Sequence, residues 1–345
     1  MKYTLNKLKT KTTNNFKVND ITLDLEIPKF NNFKDYVITN NSKIKIATSQ
    51  KEESITSNIG LTLDKYKEVN LTIPKNIKIE EPIIFEYNFN ENDNLVDYFN
   101  ITYEEDSSAD IIIIYKSTSK SSNFHFYKEN LINKANSFGT ITLINLLNDN
   151  SYNFYSIENE TLKNSNITHN IIDLGGKIRL SNMISNLVEE KSKNTLNNIY
   201  LGVKDNIIDN NCYLTNKCPN TTNIIRAEGS LDDNSHKTFR GIIDFIKGSR
   251  GSVGDEKENC ILLSDNVVSR SLPELLCGEE DVIGAHGVST GKVSQSKLFY
   301  LMSRGFDEVA AKKLIIFANF SSIINKIPSD DIQDEVKKFI DKKII

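Results

Sequence analysis

The chain has no tryptophan and is short of several other residue types. Its 345 residues include four cysteines, four histidines, three methionines and six prolines. So few cysteines exclude the disulfide framework of small secreted domains. Cys212, Cys218, Cys260 and Cys277 show no C-x-x-C spacing, and the Cys212/Cys218 pair is a weak metal signal. Most of them read as small buried hydrophobes. No apolar run reaches the length of a membrane-spanning helix. The net charge of -4 carries no basic excess, which excludes a broad nucleic-acid surface. The segment from Met1 to Phe16 has lysines but no apolar stretch behind them, so it is not read as a secretory signal, and a cytoplasmic protein is expected. Hydrolase, Walker-loop, H-E-x-x-H and dinucleotide-binding signatures are all missing. Gly248-Ser249-Arg250-Gly251-Ser252-Val253-Gly254 lacks the lysine and flanking helix of a phosphate loop and reads as a plain loop.

What is there is a long series of short strand signals. Ile21-Thr22-Leu23-Asp24-Leu25 and Phe99-Asn100-Ile101-Thr102-Tyr103 alternate apolar with polar residues, as half-buried strands do. Ala109 to Tyr115 is nearly all apolar, which predicts a strand buried on both faces. Gly139–Leu146, Asn198–Val203 and Phe239–Ile246 continue the series. Asn, Asp, Gly and Pro punctuate it, and no helical stripe interrupts it between about residues 40 and 290. A sandwich, a closed barrel and a parallel β-helix all fit such a pattern, although its length weighs against a single sandwich. No strict repeat period is visible. The abundance of Asn reads first as a compositional bias. Its structural alternative is that Asn tolerates left-handed backbone at tight corners.

From Ser294 the apolar spacing becomes helical. Ser294 is positioned to cap a helix that runs to about Arg304 and stops at Gly305. Asp307 is positioned to cap a second from Glu308 to about Ile324, and Ser329 a third through Phe339. Just before this junction stands His286, between Ala285 and Gly287.

The same stretch carries a resemblance. Pro273-Glu274-Leu275, Asp281-Val282, Ala285-His286-Gly287-Val288-Ser289-Thr290-Gly291 and Leu298-Phe299-Tyr300-Leu301-Met302-Ser303-Arg304-Gly305 follow one another in the order and spacing of the C-terminal signature of the SufB/SufD family. Members of that family are scaffold subunits of the Suf iron–sulfur cluster assembly system. The resemblance implies a mainly β fold, with a right-handed parallel β-helix core followed by a C-terminal α-helical domain. The corresponding expectation is a short N-terminal segment at 1–40 with its helical domain reduced or absent, a β-helix at 41–292 and helices at 293–345. It also implies that the chain is not an enzyme.

The resemblance nominates His286 as the metal-ligating and cluster-building residue, since a neutral imidazole binds iron or zinc. SufB proteins flank this histidine with glutamates, whereas here the flanks are Ala285 and Gly287. They also use a cysteine whose matching position falls near Glu258, with Cys260 two residues on. Cys260 and Cys277 are thiol candidates. These departures favour a SufD-like subunit that pairs with a SufB-type scaffold and docks the SufC-type ABC ATPase. Phe299, Tyr300, Arg304, Phe306 and Phe317 are the docking candidates. Any iron–sulfur cluster is expected to be transient and shared with the SufB-type partner, none being bound by this chain alone. The alternatives are a SufB-like scaffold that builds the cluster as a homodimer, and a carbohydrate-active β-helix protein. No nucleic-acid or membrane partner is expected.

Overall fold

The computed structural model describes residues 1–12, 14–30, 33–39 and 43–344. The expected boundary at residues 40 and 41 falls outside the described residues. The body is a parallel β-solenoid of about eight turns followed by three helices. Each turn contributes one strand to each of two nine-stranded sheets. Register steps between neighbouring coils run from Tyr152↔Ile178 to His236↔Val268, so the coil length itself varies. Such a fold buries each coil's apolar face on the next.

The lumen holds the main core. Phe85, Phe99, Ile111, Ile113, Leu143 and Leu196 are fully buried there. Tyr36, Tyr87 and Tyr115 stack along it with centroids 5.7 and 5.2 Å apart. The predicted doubly buried strand is realised in Ser108–Ser117: Ile111 and Ile113 join the lumen cluster, while Ile112 and Ile114 join a second cluster with the helices. Phe124–Asn133 is a further strand of the solenoid, with Tyr127 and Leu131 in the lumen cluster.

The three helices are α1 (Gln295–Ser303), α2 (Glu308–Ile324) and α3 (Asp330–Lys343). Ser294, Asp307 and Ser329 cap them, each accepting a backbone N–H from three residues on, as the capping pattern predicted. Ile316, Phe320, Ile323, Val336 and Ile340 bury against the outer face of one sheet. The helices therefore cover a side of the solenoid. No helix among the described residues is long and apolar enough to cross a membrane.

The two ends of the solenoid differ. At the first end the outermost strands, Tyr36–Thr39 and Lys45–Lys51, run antiparallel to their neighbours. At the other end Val268–Cys277 and Val282–Lys292 are full-length parallel strands, each the last of its sheet among the described residues. N-terminal strands and a short hairpin pack Leu5, Leu23, Ile55 and Leu63 over the outer face of the second sheet.

Candidate functional site

Strand Val282–Lys292 places His286 in the final coil. The parallel register pairs His286 with Glu256, Val288 with Glu258 and Thr290 with Cys260. Side chains alternate along a strand, and a parallel register keeps paired residues on one face. Glu256, Glu258 and Cys260 are buried on the lumen side, so His286 belongs to the same row, one coil further out. It is exposed because no coil follows it. Cys277 pairs with the lumen residue Phe245 across the second sheet and is likewise exposed. His286 and Cys277 thus share the last coil.

One layer further in lies a charged cluster that the sequence reading did not single out. Lys237 Nζ donates to Glu258 Oε1 at 2.6 Å and to Ser271 Oγ at 2.8 Å. Tyr200 Oη donates to the same carboxylate oxygen at 2.7 Å. Lys237 and Glu258 are both fully shielded from solvent, and their pairing offsets the cost of burying either charge. Glu258 is thus held in a buried ion pair.

Glu256 is different. Its carboxylate is buried and neither oxygen has a hydrogen-bond partner among the described residues. Burial, with a smaller contribution from Glu258, pushes its carboxyl up to about 9. The space it occupies exists because residue 241 is glycine: a methyl group there would sit 2.0 Å from Glu256 Oε1. The sequence signal for this layer was the spacing Glu256-x-Glu258-x-Cys260, which puts three polar side chains on one face of a strand.

The thiol candidates separate by environment. Burial pushes the Cys260 thiol up, and Ser269 Oγ lies 4.0 Å from its sulfur. A buried protonated thiol is a poor metal ligand. Cys212 is a lumen residue and Cys218 a corner residue that donates to the Val188 carbonyl, so the two do not form a site. Among the described residues no group of three or more His, Cys, Asp and Glu side chains is disposed to hold a metal ion.

The helical candidates lie elsewhere. Phe299, Tyr300 and Phe306 are 73%, 56% and 42% exposed. The Arg304 guanidinium stacks over the Tyr300 ring at 5.2 Å. Tyr300 and Leu301 of α1 and Leu314, Ile315 and Ala318 of α2 line an apolar groove of about 440 Å³. Phe317 is half-buried and packs against the cluster beneath the helices, away from that exposed group.

The fold and the site define a class of protein: a parallel β-solenoid with its charged cluster in the lumen of the last coils and a helical layer on one outer face. Residues 87–319 match the family described as SUF system FeS cluster assembly, SufBD core domain. The chain belongs to that family. It is 23% identical to the iron–sulfur cluster assembly protein SufD of Bacillus subtilis, over 79% of this chain and 63% of that protein. It is equally identical to an iron–sulfur cluster assembly SufBD family protein of Staphylococcus saprophyticus, over 75% of this chain and 56% of that protein. A Staphylococcus aureus SufBD family protein matches to the same extent. The chain spans 56 to 63% of the length of these relatives.

Proposed function

We propose that this chain is a SufD-like, non-catalytic subunit of a cytoplasmic iron–sulfur cluster assembly complex. It pairs through the final coil of its solenoid with a SufB-type scaffold and presents α1 and α2 to a SufC-type ABC ATPase. One observation carries the reading. Strand Val282–Lys292 is an eleven-residue edge with no charged side chain before Lys292 and no proline. The edge strands at the opposite end are four residues long or carry lysines at both termini. Short or lysine-bearing edges resist pairing, and a long uncharged edge is a template for another strand.

A partner strand on that edge encloses His286 and Val288 between two chains. His286 then offers a neutral imidazole to iron delivered as cargo. Iron–sulfur clusters are held mainly by thiolates. Cys260 is buried, which pushes its thiol up, and Cys277 is the remaining thiol of the last coils. That poverty favours a SufB-type partner that supplies cysteine over a homodimer. The exposed apolar groove between α1 and α2 suits the helix-in-groove docking of an ATPase.

The test is co-purification of the chain with its SufB-type and SufC-type counterparts, read by native mass spectrometry. A complex containing all three supports the reading. A complex with SufC alone and homodimers of this chain favours the SufB-like alternative. Absence of both interactions with the chain folded overturns the assignment.

A further inference from the structure

Away from the final coil and the helical groove, a cleft of about 260 Å³ opens where the N-terminal segment crosses the outer face of the second sheet. Its apolar floor and walls include Ile21, Leu23 and Ile207. Three basic side chains line it: Lys17 from the N-terminal segment, and His236 and Arg270 from successive coils. The sheet register places Thr238 opposite Arg270, and His236 two residues before Thr238 on the same face. His236 and Arg270 therefore stand within roughly 10 Å of each other on one surface, allowing for strand spacing and rise.

None of these three side chains makes a hydrogen bond or ion pair within the described residues. The carboxylates at the cleft form no ion pair with them among the described residues. Asp209 is already held by Arg240, whose Nη1 and Nη2 donate to it at 2.6 and 2.8 Å. Asp20 is exposed at the rim and pairs with nothing among the described residues. The two walls are fixed to one another. Asn6 Nδ2 donates to Asp209 Oδ1 at 2.6 Å, and Arg240 Nε donates to the Val18 carbonyl. The walls that carry these side chains are thus held in place before any ligand arrives, which lowers the cost of binding one.

We propose that this cleft binds a small phosphate-bearing anion. Arg270 supplies the forked donor that matches phosphate oxygens, Lys17 a second positive charge, and the Ile21–Ile207 side a contact for the rest of the molecule. The site is separate from the cluster-assembly reading and stands or falls independently of it.

Inorganic pyrophosphate is the probe, titrated calorimetrically into the chain of residues 1–345 at physiological salt. Arg270→Gln and Lys17→Gln are the test variants, Asp20→Asn a charge-relief variant, and Lys120→Gln, at an exposed corner elsewhere, the control. The side chains exchanged at the cleft make no hydrogen bond or ion pair among the described residues, so the variants are expected to keep a melting temperature close to that of the wild type. The expected result is saturable one-site binding, weakened at least about tenfold by Arg270→Gln or Lys17→Gln, strengthened by Asp20→Asn and unchanged by Lys120→Gln. Absence of saturable binding overturns the proposal. So does equal weakening by Lys120→Gln, which marks unspecific charge attraction.

Discussion

Replacing Glu256 by glutamine removes a lumen carboxyl that burial leaves without a partner on either oxygen among the described residues. Its carboxyl is raised from 4.5 to about 9 in the folded chain. Between those values the folded state keeps the proton and the unfolded state releases it. The stability is therefore full below about pH 4.5 and is lost progressively as pH rises toward 9. Each unit inside that window costs about 1.4 kcal/mol, so the wild type gives up about 3 kcal/mol at pH 7 and about 5 kcal/mol at pH 8.5. These are upper bounds, since relaxation around a buried charge softens them. Glutamine matches the protonated carboxyl in size and charge at every pH. With roughly 2 cal/mol/K of unfolding entropy per residue, 3 kcal/mol corresponds to about 4 °C in this chain. Thermal melts of wild type and Glu256→Gln at pH 5.5, 7 and 8.5 are the assay. The variant should melt higher, with a gap that widens steadily with pH. A gap independent of pH would mean that Glu256 is ionised in the folded chain, and the argument from its missing partners would fail.

Three further outcomes follow from the packing. Burial and the nearby Arg179 hold Lys343 down at about 8, so the folded state binds fewer protons than the unfolded one above that pH. Wild type should gain about 2 kcal/mol between pH 7 and 9.5 relative to Lys343→Met, measured by urea denaturation. A methyl group at Gly229 would lie 2.1 Å from the Tyr200 ring. Gly229→Ala should therefore cost about 1–3 kcal/mol, and a loss below about 0.5 kcal/mol would show that the lumen yields there. Phe299→Ala with Arg304→Glu should abolish co-purification with the SufC-type ATPase while leaving the melting temperature within about 2 °C, because both side chains are exposed.

The helix starts were legible to the residue because capping is local: Ser294, Asp307 and Ser329 act on backbone three residues away, whereas the third helix runs on to Lys343, past the expected Phe339. The solenoid was legible as strands but hidden as a repeat. Its periodicity sits in the corners, where Asp106, Asn136, Asn164, Lys191 and Asn220 take left-handed backbone. The residue after each, Ser107, Ser137, Ser165, Ser192 and Thr221, turns its hydroxyl back onto the carbonyl three residues before it. Coils of unequal length smear this signal in any fixed-period search. Asparagines at these corners therefore have a structural use beyond compositional bias: they tolerate the left-handed conformation found there.

The lumen charges escaped for another reason. Lys237, Glu258 and Tyr200 lie on three different strands, and only the stacking of coils brings them together. Locally the only signal is the alternation Glu256-x-Glu258-x-Cys260, which puts three side chains on one face without marking that face as buried. His286 was nominated by the resemblance, and the register places it on the last strand of its sheet among the described residues. Gly284 and Gly287 flank a histidine on an edge strand, and nothing lies within 4 Å of where a side chain at Gly287 would begin.

The central claim is that the final coil works only when a partner completes it. Anaerobic reconstitution with iron and sulfide tests it directly, comparing this chain alone, the chain with its SufB-type counterpart, and the same pair carrying His286→Ala. The visible chromophore should form in the wild-type pair, fail in the chain alone, and fall sharply in the His286→Ala pair while the two chains still associate. A stable chromophore on the chain alone, lost on replacing Cys277 or Cys260, would contradict the account and make this protein a primary scaffold.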